Sequence, residues 1–178
     1  MRYRFLAIFG AGVVMVAWAC GGSTANNGGG SDGIYVAPRA ALVGAINRTT
    51  MIGNAHYGLS VFGGNASSSV SVLVSAVHTL ISNNGGGVFA GSQPGGAATT
   101  IVLDDVAVTG NSGNGLWADS NGGGATTTNI RLTQSVISGN QVGAQLSGGT
   151  ISTLGNNTFT DNSGGNVSGG SLTSLSLQ

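Results

Sequence analysis

A four-residue phrase returns five times along this chain. It reads Met51-Ile52-Gly53-Asn54, Leu80-Ile81-Ser82-Asn83, Val108-Thr109-Gly110-Asn111, Ile137-Ser138-Gly139-Asn140 and Phe159-Thr160-Asp161-Asn162. The asparagines that close it stand 29, 28, 29 and 22 residues apart. A glycine follows a few residues later (Gly58, Gly87, Gly115, Gly143, Gly165), and then an apolar residue (Leu59, Val88, Leu116, Ala144, Val167). Self-similarity at this period marks a solenoid, in which one repeat is one circuit and buries its apolar face only by stacking on its neighbours.

Each circuit contains several apolar runs of a few residues, separated by Gly and Asn. Helices are excluded, because Gly and Asn both disfavour helix interiors. Glu and Lys, the charged residues on which helical bundles draw, are absent from the sequence. The expected fold is all-β: a right-handed parallel β-helix of about five coils over residues 33–178. Its coils stack at the strand spacing of about 4.8 Å. Counted back from each asparagine, the third position supplies Met51, Leu80, Val108, Ile137 and Phe159, and the eighth supplies Ile46, Ser75, Leu103, Leu132 and Leu154. Both columns are expected inside, with a bulge near Ser75. Asn54, Asn83, Asn111, Asn140 and Asn162 are expected to form a ladder of stacked amides at one turn.

The N-terminus reads as a targeting segment. Arg2 and Arg4 precede an uncharged apolar run from Phe5 to Val16, and Ala17-Trp18-Ala19 is a small-x-small cleavage site. Residues 1–19 are therefore expected to be a signal peptide and residues 20–32, rich in Gly, Asn and Ser, a flexible linker. Cys20, the only cysteine, follows the cleavage site directly, in a context that resembles the lipobox of bacterial lipoproteins. Cys20 is the candidate lipidation residue. Ordinary cleavage leaving a free thiol is the alternative, and neither permits a disulfide within the chain. The expected location is outside the cytoplasm, in the cell envelope by a lipid anchor or secreted, with membrane contact only through that lipid.

The phrase Ile137-Ser138-Gly139-Asn140, the pattern around Gly115-Leu116 and the ending Gly155-Asn156-Asn157-Thr158-Phe159 with Asn162 are similar to bacterial right-handed parallel β-helix repeat proteins, which share the pectin-lyase-like fold. The resemblance covers about residues 33–178. It implies an exported bacterial protein, with polysaccharide as the ligand class of the enzymatic relatives. It does not carry an activity, because the matching positions are the coil-forming ones.

Chemistry is scarce. Charged residues make up only 6% of the chain. Without residues 1–19, three Arg and five Asp remain, a net charge of −2. No basic stripe offers itself to a phosphate backbone, so nucleic acid is not an expected partner. Calcium takes six to eight oxygen ligands, which this chain does not assemble, and neither metal nor cofactor is expected. The weak catalytic candidates are Asp104, Asp105, Arg131 and His78, which fall on adjacent coils. Asp104 and Asp105 point to opposite faces if they lie on one straight strand, and Asp104 could pair diagonally with Arg131. The expected function is a non-catalytic structural, adhesive or glycan-contacting module, and the alternative is a polysaccharide lyase or hydrolase.

Overall fold

The computed structural model describes residues 14–17, 23–25, 31–120 and 127–176. Runs of Val, Ile, Thr and Leu, whose side chains suit a pleated, half-buried surface, form strands throughout. A six-stranded sheet holds Ile34–Val36, Tyr57–Phe62, Gly86–Gly91, Asn114–Asp119, Val142–Ser147 and Val167–Ser168, neighbours in space as in sequence. An eleven-stranded sheet follows the path Val14–Ala17, Leu42–Asn47, Ser71–Ser82, Ala98–Thr109, Thr128–Thr133, Thr150–Thr153 and Thr173–Ser174. Ser23–Ala25, Thr49–Ile52, Val136–Ser138 and Thr158–Thr160 continue it alongside. The strands pair in parallel, each with its counterpart one circuit away. The chain is an all-β parallel solenoid of about four turns.

The larger sheet bends into two faces at a column of left-handed residues: Arg48, His78, Asp105 and Gln134, with φ of 47°, 49°, 52° and 48°. The bend is visible in the burial of the two longest strands. Val72, Val74 and Ala76 point inward before His78, whereas Thr79 and Ile81 do so after it. The extra residue reverses the two-residue parity, as a left-handed insertion in a strand must. Behind the bend, Thr49 Oγ1 donates to Asn47 O, Thr79 Oγ1 to Val77 O and Ser135 Oγ to Thr133 O, at 3.1, 2.9 and 2.8 Å. Each hydroxyl bonds the carbonyl two residues before it, and that of Val77 also accepts from the Arg48 backbone N–H at 3.1 Å.

The core lies between the three faces as columns of apolar side chains. Ile101, Ile130 and Ile151 stack, as do Leu59, Val88, Leu116 and Ala144, all with no exposed area. Burying such a side chain contributes about 1.5–3 kcal/mol. The third-position column is Met51, Ile81, Val108, Ile137 and Phe159. Leu80, expected there, is instead 38% exposed. The eighth-position column runs Ile46, Ala76, Leu103, Leu132 and Thr153, so Ser75 and Leu154 are displaced from it as well.

One cause explains the Leu80 and Ser75 errors. The ladder asparagine of the second coil is Asn84, which is buried, and not Asn83, which is exposed. Asn83 takes φ of 53° and occupies the position held elsewhere by Gly53, Gly110 and Gly139, also left-handed, and by Asp161. Asparagine tolerates that region better than other residues with a Cβ. The ladder itself is Asn54, Asn84, Asn111, Asn140 and Asn162. Asn54 donates to Asn84 Oδ1 from its backbone N and its Nδ2, at 3.0 and 2.8 Å. Asn84 does the same to Asn111, Asn111 to Asn140, and Asn140 to Asn162. The amides of Asn84, Asn111, Asn140 and Asn162 also bond a carbonyl of the preceding coil, as Asn111 Nδ2 does to Ile81 O at 3.3 Å. Asn166 closes the column by accepting from Asn162 Nδ2 at 2.9 Å.

The glycines that follow the phrase leave room for this ladder. A Cβ at Gly115 would lie 2.8 Å from Asn140 Nδ2, and one at Gly143 would lie 2.9 Å from Asn162 Nδ2. Close approach is therefore what these two positions require.

Strand Val14–Ala17 falls within the stretch read as a signal peptide and pairs with Leu42–Asn47. Ser23–Ala25, within the stretch read as a linker, pairs with Thr49–Ile52. Residues 1–13, 18–22 and 26–30, and with them Cys20, lie outside the described residues.

Candidate functional site

The sequence candidates are split by the bend. His78 and Asp105 both sit in the left-handed column on the outer corner, with His78 Nε2 3.5 Å from Asp105 Oδ2 and side chains 50% and 62% exposed. The chain turns at Asp105, so Asp104 and Asp105 are separated by a corner and not by the alternation of a straight strand. Asp104 is in register with Val77 and Thr133 on the adjoining face, and its Oδ1 is buried without a hydrogen-bond partner. Arg131 is exposed on that face, in register with Val102 and Ser152. Among the described residues no ion pair joins Asp104 to Arg131. Nor, among them, do three of His, Cys, Asp or Glu come together in a way that could hold a metal. A carboxylate and an imidazole in contact can exchange a proton, but here both are open to water, which screens the pair.

The ladder corner carries a shallow open depression of about 400 Å³, lined by Gly53, Asn54, Asn83, Asn84, Gly110 and Ser112. The amides of Asn54 and Asn84 beneath it are engaged in the ladder.

The outer face of the six-stranded sheet is different in kind. Leu59 and Val61 point into the core, so Ser60 between them points out, and its column continues through Phe89, Trp117 and Gln145, with Tyr35 on the coil before. Tyr57 leans over from the start of its strand. Three rings meet: Tyr57 stacks on Phe89 with centroids 5.2 Å apart, and Trp117 meets Phe89 edge-on at 5.3 Å and Tyr57 at 6.3 Å. Two glycines permit this. A Cβ at Gly86 would lie 2.5 Å from the Tyr57 ring, and one at Gly91 would lie 2.5 Å from the Phe89 ring. The indole N–H of Trp117 donates to Ser147 Oγ at 3.0 Å, which fixes the plane of the ring. Tyr35 stands beside the patch with 55% of its surface exposed.

Polar groups border the rings. Asp32 Oδ1 accepts from the Tyr57 backbone N–H at 2.9 Å. Burial, then the charges of Asp32 and Asp119, push the Tyr57 phenol up to about 12. Burial, then Asp32, raises Tyr35 as well. Both phenols stay protonated at neutral pH and can donate a hydrogen bond. The sequence reading missed this patch. Its signal was the aromatic residues Phe89 and Trp117, each directly after the inward residue of the apolar column, where a strand turns its side chain outward.

No family model, curated protein or solved structure matches the chain.

Proposed function

We propose that this is an exported, non-catalytic β-helix module that contacts glycan through the outer face of its six-stranded sheet. The observation that carries the reading is the Tyr57, Phe89 and Trp117 cluster. A sugar ring presents an apolar C–H face and a rim of hydroxyls. Aromatic rings receive the first through their negative faces, and the phenol, carboxylate and hydroxyl groups around them receive the second. The resemblance to bacterial right-handed pectin-lyase-like proteins supports the same ligand class and an envelope or secreted location. Cys20 is the lipid attachment point in this proposal, and mass spectrometry of the mature N-terminus tests it.

The reading is also supported by the scarcity of ionisable groups. Glycoside hydrolysis takes two carboxylic residues about 5–9.5 Å apart across the bond, and lyase chemistry takes a base together with a cation. His78 and Asp105 share an exposed corner, while Arg131 stands on another face. The expected outcome is retention of the protein by at least one immobilised glycan, with no unsaturated or reducing ends released from pectate or alginate, with or without calcium. Release that disappears in Asp105→Ala or Arg131→Ala would establish the enzyme instead.

A further inference from the structure

We infer that Gln145 and Ser147 make the polar side of a single-sugar subsite on the Trp117 ring, an amide acceptor and a hydroxyl donor that together bind two neighbouring hydroxyls of the sugar. This rests on the glycan-contacting reading above and adds what the site recognises. The subsite is built on the coil that follows Trp117. Strand Val142–Ser147 buries Ala144 and Leu146, so Gln145 and Ser147 alternate with them on the outer side, both half-buried. Gln145 is in register with Trp117, and Ser147 stands two residues further along the same strand, about 6.6 Å away. The indole reaches across to that strand, where its N–H donates to Ser147 Oγ at 3.0 Å. The Ser120 backbone N–H donates to Ser147 O, also at 3.0 Å, and ties the two coils together at this point. On its other side Trp117 meets Phe89 edge-on at 5.3 Å. The ring is therefore held from both neighbouring coils, and its N–H is already engaged.

Those bonds decide which groups remain for a ligand. A hydroxyl donates one hydrogen and accepts at two lone pairs. Ser147 Oγ, accepting from the indole, keeps its own hydrogen, and the bond it accepts strengthens it as a donor. Gln145 Nε2 donates to Leu146 O at 3.3 Å, so the amide oxygen is the end that remains. A Cβ at Gly169, on the next coil, would lie 2.8 Å from that nitrogen, and bare backbone there lets the amide turn this way. The strand thus presents an acceptor and a donor side by side at the border of an aromatic ring. Two adjacent sugar hydroxyls match it. One donates to Gln145 Oε1 and the other accepts from Ser147 Oγ, while the C–H face of the sugar covers the indole. A site built to bond hydroxyls discriminates against analogues that lack them, because its own polar groups are then left unpaired.

The test is affinity electrophoresis of the full chain through gels containing mixed-linkage β-glucan, galactomannan, polygalacturonate or alginate, and then through gels of the retarding polymer with its hydroxyls methylated. Expected is retardation by at least one native polymer, and weaker retardation by its methylated form. Ser147→Ala and Gln145→Met should each weaken retardation about threefold to tenfold, the loss of one hydrogen bond. Ser147→Thr, which keeps the hydroxyl, should bind as the wild type does. Melting curves of these variants should match the wild type. Ser147→Val against Ser147→Thr, equal in shape, gives the same comparison if Ser147→Ala melts early. Full retardation of either Ser147→Ala or Gln145→Met, or equal retardation of the wild type by native and methylated polymer, overturns the subsite and leaves the glycan reading standing. No retardation by any polymer, or retardation unchanged in Trp117→Ala and Tyr35→Ala alike, overturns the glycan reading and this inference with it.

Discussion

Asn111 shows what a single side chain does in this molecule. Its Oδ1 takes two hydrogens from Asn84, and its Nδ2 bonds Asn140 and the Ile81 carbonyl. Asn111→Leu leaves those groups unpaired in a buried corner and should cost about 1–3 kcal/mol. The same change at Asn162, on the last rung, should cost less, because only one neighbouring coil is affected. Urea melts of the two variants check this, and equal losses would count against the ladder. Asn83 and Asn84 make a sharper pair. Asn83→Gly should shift stability by less than about 1 kcal/mol, since glycine suits a left-handed residue, whereas Asn84→Leu should behave like Asn111→Leu. The sequence did not separate these two adjacent asparagines by spacing. Taking Asn83 made the intervals 29 and 28, which look more regular than the true 30 and 27. The signal lay in the Gly-Asn pairs of three other coils, with Asn83 standing where their glycine stands.

At the scale of the strand, parity decides. Ile81 is fully buried in the third-position column and Leu80, one residue earlier, faces water. Ile81→Ala should cost about 2–5 kcal/mol, and Leu80→Ala should stay within about 0.5 kcal/mol; thermal melts of the two distinguish the registers. The six-stranded sheet offers a pH test. The Tyr57 phenol has a folded pKa of about 12, above its ordinary value of 10.0. A raised acid contributes stability that is fully present below pH 10 and is lost as pH climbs toward 12. Absorbance at the phenolate band should therefore show one tyrosine ionising well after the others, with unfolding advancing over that window. Early ionisation of every tyrosine would contradict the burial of the Tyr57 ring.

For the whole molecule, stability is a sum of coils and of the contacts between them. Ile130 lies in the middle of its column, flanked by Ile101 and Ile151, whereas Val167, half-buried, sits in a two-residue strand at the edge of the six-stranded sheet. Ile130→Ala should lower the melting temperature of the whole solenoid, and Val167→Ala should chiefly fray the last coil. Hydrogen exchange resolves the two, as uniform against local loss of protection.

The repeated phrase alone determined the class of fold. A period near one circuit, strand-forming runs and a sequence without Glu or Lys leave little but a parallel solenoid, and the asparagine corner and the Leu59, Val88, Leu116 column were legible in the same pattern. Only tertiary structure decided how the coils lie on one another. Register is set by backbone ladders and packing across coils whose loops differ in length, and a slip of one residue exchanges inside for outside. That is why Ile81 and not Leu80 entered the core. For the same reason the meeting of Tyr57, Phe89 and Trp117 over two glycines could not be read along the chain: each ring belongs to a different coil, and the bare backbone at Gly86 and Gly91 lets them touch.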